Sequence, residues 1–393
     1  MTKQTKLLAL EAAAVIAAAI AAIVLLHIEP ARTSATAQHA APHEGRVVPA
    51  EPVALGAARV AAYVDRGETG LSTDDPLTAY RRANVYPPNS HPLTRDHDDL
   101  LHPNQRHEIA RVMDDDADVK FLFTADRYFV IGDGALHATL DVRKDVDATP
   151  VAVRITGAYA VVLDPSKPDA AGMQVPLAFT GAGGSWAATF APASLSQLSR
   201  QTTIGMYIEF AVPPTSAGRE FETGHARQHA HFDFQYTPAS GIPARFTGEL
   251  HDELEGGSLV IHAGVAVARG GRYLIDCNLY DASDEPVGWS RFQGDLAEGA
   301  ATADLQFFGK VIADAKASGP FHIGELRGAR FDPGVDPDLE QMLPFAGSYA
   351  TAAYPATAFS DADYDSPQKQ QMIELLSQEQ SRGVHLGAAG GPR

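Results

Sequence analysis

From about residue 119 the chain alternates hydrophobic and polar positions in short runs broken by Gly, Pro or Asp. In "ALHATLDV", Leu136, Ala138, Leu140 and Val142 alternate with His137, Thr139 and Asp141. "TIGMYIEFAV" repeats the pattern with Ile204, Met206, Ile208, Phe210 and Val212. Successive side chains of a strand point to opposite faces, so this patterning predicts half-buried strands in antiparallel layers. The fold class that follows is mainly β: two tandem immunoglobulin-like antiparallel β-sandwiches, the first over 117–240 and the second over 241–330. Pro238 and Gly241-Ile242-Pro243 mark the break. In the second sandwich strands are expected near 245–251, 258–267, 271–281, 286–293, 301–308 and 320–328, with a short helix near 309–316.

The flanks read differently. Leu7 to Leu26 is an apolar run interrupted by Glu11 and preceded by Lys3 and Lys6. Such a run spans a bilayer core of about 30 Å as a helix, and the lysines keep its start in the cytoplasm. Residues 1–27 are therefore expected to be a signal anchor, a transmembrane helix that exports everything after it. A cleaved signal peptide, cut after Ala37 in Ala35-Thr36-Ala37, is the competing reading. The length of the run and the distance of that site favour the anchor. The implied location is a bacterial inner membrane, single-pass, with the C-terminal domains periplasmic or at the surface.

Residues 28–75 are rich in Ala, Pro, Thr and Gly and suit a flexible spacer. Residues 76–116 hold Pro87-Pro88 and scattered aromatic groups and suit an extended lead-in, with at most a short helix near 94–101. The C-terminal span 331–393 carries Phe331, Phe345, Tyr349, Tyr354, Phe359 and Tyr364, too many aromatic groups for a free tail. It reads as a strap docked on the sandwiches, ending in a helix over 367–381. Ser366 is its expected N-cap and Pro367 its first residue. Met372, Ile373 and Leu376 give it an apolar stripe to lay on a sandwich or on the lead-in.

Charge narrows the partners. A formal net charge of −18 argues against nucleic acid, whose binding rests on cationic contacts to phosphate. The one cysteine, Cys277, sits in an apolar alternation and reads as a packing residue. Trp186 and Trp289 lie in strand patterns and read as core.

The second sandwich resembles a known family. Its pattern begins Gly271-x-Tyr273-x-Ile275-x-Cys277-x-Leu279-Tyr280-Asp281-Ala282. It continues through Pro286-Val287-Gly288, Leu296-x-x-Gly299 and Leu305-x-Phe307-x-Gly309-Lys310-Val311-Ile312. It closes with Gly319-Pro320-Phe321 and Leu326. This resembles the β-sandwich module of bacterial surface proteins called choice-of-anchor X, which occurs beside varied membrane or wall attachments. The resemblance covers about 245–330, with a fainter echo in the preceding sandwich. It implies an exported, anchored, non-enzymatic module, and its glycines and core positions carry over no functional residue.

Chemistry is sparse. "HARQHAHFDFQYTP" places His225, His229, His231 and Asp233 close together. Alternation over 229–236 puts Ala230, Phe232, Phe234 and Tyr236 on one face and His229, His231, Asp233 and Gln235 on the other, which reads as a strand with a wet polar face. The same residues are the candidate ligands for Zn²⁺ or Cu²⁺. His107-Glu108 opens like the zincin helix, but Arg111 stands where the second ligand belongs. Asp114-Asp115-Asp116 with Asp118, Asp332/Asp336/Asp338/Glu340, and Asp361/Asp363/Asp365 are spaced carboxylates without the EF-hand order. No nucleophile elbow, Walker loop or dinucleotide fingerprint occurs. The expectation is a non-catalytic, membrane-anchored envelope protein that needs no cofactor. It is tethered through residues 7–26 and binds an envelope protein or glycan, or assembles with copies of itself. The alternative is a metal-dependent hydrolase using His225, His229, His231 and Asp233.

Overall fold

The computed structural model describes residues 43–44, 47–49, 75–105, 107–113, 116–144, 147–163, 173–195, 197–211 and 227–381. The chain is mainly β, in several antiparallel sheets. In chain order the elements begin with β1 (His43–Glu44), β2 (Val47–Pro49), α1 (Pro76–Ala83), β3 (Ser90–Pro92) and α2 (Asp98–Leu101). Next come β4 (His107–Met113), β5 (Asp116–Ala125), β6 (Phe129–Ile131), β7 (Leu136–Lys144), β8 (Arg154–Val162), β9 (Gln174–Pro176), β10 (Thr180–Ala182) and β11 (Ser185–Phe190). They continue with β12 (Thr202–Ala211), β13 (Arg227–Thr237), β14 (Ala244–Glu255), β15 (Ser258–Val267), β16 (Gly271–Tyr280), β17 (Pro286–Leu296) and β18 (Gly299–Phe307). Last are α3 (Gly309–Ala315), β19 (His322–Phe331), β20 (Leu339–Gln341), β21 (Gly347–Ala350) and α4 (Pro367–Ser381).

The described residues form four sheets, and alternation pairs them. The sheet β10-β11-β7-β5-β4 and the sheet β6-β13-β12-β8-β9 share one core. Phe121 and Phe123 of β5 and Leu136, Ala138, Leu140 and Val142 of β7 meet Ile204, Met206, Ile208 and Phe210 of β12 and Ala230, Phe232 and Phe234 of β13. Ring centroids cross that layer at 4.7 Å for Phe123–Phe232 and 5.3 Å for Phe121–Phe210. The second core lies between β1-β14-β15-β18 and β2-β21-β19-β16-β17-β3, with β20 added to β19. Leu259, Ile261, Ala263 and Val265 face Tyr273, Ile275, Cys277 and Leu279 there. Cys277 is fully buried, and that desolvation pushes its thiol far above the ordinary range.

The flanks depart from the sequence reading at definite points. Where an extended lead-in was expected over 76–116, Pro76–Ala83 is helical, with the Asp75 carboxylate capping Leu77 N and Thr78 N at 3.1 Å each. Asp followed by Pro is the N-cap and first-position pair that starts a helix. His107–Met113, from the same span, is a strand of the first sheet pair. Within the expected spacer 28–75, β1 pairs with β14 and β2 with β21. Edge pairing uses main-chain groups and needs no large side chains. The leader 1–27 lies outside the described residues. Among the described residues no helix is long and apolar enough to cross a membrane.

The C-terminal strap is sewn down along its length. Gly319 N donates to Tyr354 O at 2.7 Å, Thr351 N to Phe321 O at 2.8 Å, and Ser360 N to Gly257 O at 3.0 Å. Gly257 has φ +78°, and a Cβ there would lie 2.9 Å from the Ser360 Cβ, so the close approach requires glycine. Tyr364 N donates to Val85 O at 2.9 Å, which carries α4 to the lead-in, where it packs beside α1. Ser366 Oγ accepts from Lys369 N at 3.1 Å as the cap of α4.

Candidate functional site

The outer row of β13 is the first place to look for chemistry. His229, His231 and Asp233 share one face, as β13 pairs with β12 in register: Glu209 opposite His229, Tyr207 opposite His231, Gly205 opposite Asp233. Alternate residues of a strand are about 7 Å apart, so His229 and Asp233 stand about 14 Å from each other. The two histidines are engaged locally, whereas Asp233 Oδ1 is buried without a hydrogen-bond partner among the described residues. His229 Nδ1 lies 3.6 Å from Glu209 Oε1. The His231 ring stacks on Tyr207 at 5.1 Å, and Tyr207 on Tyr159 of β8 at 5.2 Å. Gly205 makes this row possible, since a Cβ there would sit 2.6 Å from the Tyr207 ring and 3.1 Å from Asp233 Oδ1. The Tyr207 phenol is raised by burial first, and then by the charge of Asp233. His225 lies outside the described residues. Among the described residues no group of three or more His, Cys, Asp and Glu is arranged to hold a metal ion.

Asp332, Glu340 and Asp363 of the acidic clusters face cations of the chain itself. Arg330 Nη1 bridges Asp332 at 2.9 Å and Glu340 at 3.0 Å. Lys310 Nζ lies 3.4 Å from both Asp314 and Asp363. Asp365 accepts from Gln370 Nε2 at 2.6 Å. Asp114 and Asp115 lie outside the described residues.

Three further groupings were not anticipated. On the outer face of β14, β15 and β18, His262 Nδ1 meets Asp304 at 2.8 Å and Nε2 meets Glu253 at 3.1 Å. His251 stacks on His262 at 4.4 Å.

The second grouping is inside the core. Asp252 is fully buried and accepts from Tyr349 Oη at 2.5 Å, Tyr354 Oη at 2.6 Å and Ala352 N at 3.3 Å. Burial raises the Tyr354 phenol, and the hydrogen bond to Asp252 raises it further. A visible signal existed: Asp252 occupies an inward position between Leu250 and Leu254, where alternation demands an apolar side chain.

The third grouping joins the two sheet pairs. Glu340, 4 % exposed, receives Arg269 at 3.1 Å and Arg330 at 3.0 Å, while Arg269 also donates to Gly241 O at 2.5 Å. Gln201, just before β12, accepts from Gln341 N at 2.7 Å and from Thr237 Oγ1 at 2.8 Å. Tyr273 Oη donates to Pro243 O at 3.1 Å, and burial pushes its phenol up to about 12 against the opposing pull of Arg330 and Arg269.

Comparison with known proteins gives little. No protein-family model matches the chain, and no curated protein matches it. Among solved structures the chain is similar to a DUF4785 family protein from Legionella pneumophila, at 16 % identity and a TM-score of 0.37, over 63 % of this chain and 58 % of that one. It is also similar to dimeric latent PorU from Porphyromonas gingivalis, at 11 % identity and a TM-score of 0.17, over 65 % of this chain and 21 % of that one. The chain thus spans under two thirds of either relative. Likenesses this weak carry no argument about activity or partners.

Proposed function

We propose that the chain is an exported, membrane-tethered, non-catalytic envelope protein, whose two tandem immunoglobulin-like β-sandwiches bind a protein or glycan partner or assemble with copies of themselves. One observation carries the reading. The polar and charged clusters join one segment to another: Asp252 clips the strap to β14, Glu340 and Gln201 lock the junction, and Lys310 holds α3 to the strap. A scaffold needs such bonds, whereas a catalytic centre aims its groups at a shared point where a reacting atom can sit. The alternation within each sheet pair supports the immunoglobulin-like reading, as does the resemblance of 245–330 to the choice-of-anchor X module. The tether rests on the Leu7–Leu26 run and its lysines. Fractionation of cells expressing the full chain tests the proposal. The chain should sediment with membranes, resist salt and carbonate, come out with detergent, and retain its original N-terminus. Cross-linking before extraction should then trap one reproducible envelope partner or a second copy. A mature chain that begins at Gln38 and is released without detergent would overturn the tether. Stoichiometric zinc or copper in the purified protein, lost together with a hydrolytic activity on chelation, would overturn the non-catalytic reading.

A further inference from the structure

Asn278 and Trp289 stand opposite each other on β16 and β17, on the surface of that sheet turned away from the core. The lead-in covers them. His91, opposite Trp289 on β3, stacks on the indole at 6.1 Å. Asn278 Nδ2 donates to Leu100 O at 2.7 Å. Arg291 lies over the indole at 5.0 Å, held there by Asp276 at 2.6 and 2.9 Å. The cover leaves Asn278 at 0 % and Trp289 at 9 % exposure.

Each residue keeps one polar atom unmatched. Trp289 Nε1 and Asn278 Oδ1 are buried and have no hydrogen-bond partner among the described residues. The first only donates and the second only accepts. Rotating the Asn278 amide would not help, because it would turn an oxygen toward Leu100 O. Two polar groups of opposite kind, on residues that face each other across the strand pair and both desolvated, carry a penalty that a bridging molecule removes. Tyr280 Oη, 3.3 Å from Asn278 Nδ2, adds a third polar group beside Asn278, and buried waters settle where two to four such groups converge.

We infer that the interface between the lead-in and this sheet holds a small hydrogen-bonding ligand, water itself, which accepts from Trp289 Nε1 and donates to Asn278 Oδ1. The site makes the lead-in dock through a wet polar contact rather than a dry one. Water–indole cross-relaxation in the detergent-solubilised full chain, labelled with ¹⁵N at tryptophan, is the test. Trp186→Phe assigns the two indole signals. Trp186 Nε1 donates to Gly183 O at 3.3 Å and serves as the internal control. The Trp289 indole proton should show NOE and ROE cross-peaks of the sign expected for a long-lived water, and Asn278→Leu should abolish them while the indole signal stays dispersed. If Asn278→Leu unfolds the chain, the wild-type cross-peaks decide alone. A folded wild type without them, or an Asn278→Leu variant that retains them, overturns the inference.

Discussion

Removing the Asp252 carboxylate should loosen the C-terminal strap more than any other single change. The carboxylate is fully buried and holds two phenol hydrogen bonds at 2.5 and 2.6 Å and one amide bond at 3.3 Å. Hydrogen bonds to a charged group contribute about 1.5–3 kcal/mol each. Asp252→Ala loses the two short ones, about 3–6 kcal/mol. Relief from desolvating the charge offsets part of that, leaving about 3–5 kcal/mol, the usual range for removing one member of a buried charged set. Against a domain stability of about 5–15 kcal/mol this is severe. Asp252→Asn keeps the shape and one acceptor and should cost about half as much. Tyr354→Phe removes one short bond, at about 1.5–3 kcal/mol. Urea denaturation followed by circular dichroism gives each value, and limited proteolysis shows whether cleavage falls within 339–364. The double variant Asp252→Asn with Tyr354→Phe should cost clearly less than the sum of the singles, since both break one bond. Additive losses, or an Asp252→Ala cost below about 1 kcal/mol, would refute the clip.

Other consequences follow from the same geometry. His229→Ala with His231→Ala should change stability by no more than about 0.5 kcal/mol, since both side chains are exposed; a large loss of melting temperature, matched by chelator treatment of the parent, would contradict this. Burial lifts Tyr86 and Tyr273 to about 12 and raises Tyr354 as well, while an unfolded tyrosine titrates near 10. The folded state therefore keeps protons that the unfolded state has lost, so stability is whole below pH ~10 and falls as pH climbs to about 12. Absorbance at 295 nm should show part of the tyrosine ionisation arriving only with unfolding, and complete ionisation near pH 10 of a chain still native by circular dichroism would refute it. Glu340→Ala leaves Arg269 and Arg330 facing each other at the junction, and calorimetry should show a cost of about 3 kcal/mol or more.

The sequence was most readable where one residue's direction settles the next. Alternation in 229–236 places Phe232 and Phe234 in the core and His231 in water without any knowledge of the partner strand, and the same holds for Leu136 to Val142. Cys277 follows that logic as well. Long-range pairing is what local pattern does not encode. Asp252 finds Tyr349 at a separation of 97 positions, so only its misplaced polarity was visible. Trp289 is buried, yet its cover is the lead-in rather than the opposite sheet. Pro87-Pro88 favours an extended lead-in, although Asp75-Pro76 already announces a helix. The histidine row is legible as one strand face, but its neighbours Glu209 and Tyr207 come from β12, and only the register reveals them.

Export of the folded part is the claim on which the functional account turns, and the cysteine content allows it to be measured cleanly. Cys277 is buried with its thiol pushed up, so it gives no background with a membrane-impermeant maleimide. Leu375, 50 % exposed on α4, is a suitable place for a reporter thiol. In cells with a permeabilised outer membrane and an intact inner membrane, Leu375→Cys should be labelled at once and to completion. Labelling that appears only after the inner membrane is broken would place the domains in the cytoplasm and contradict the account.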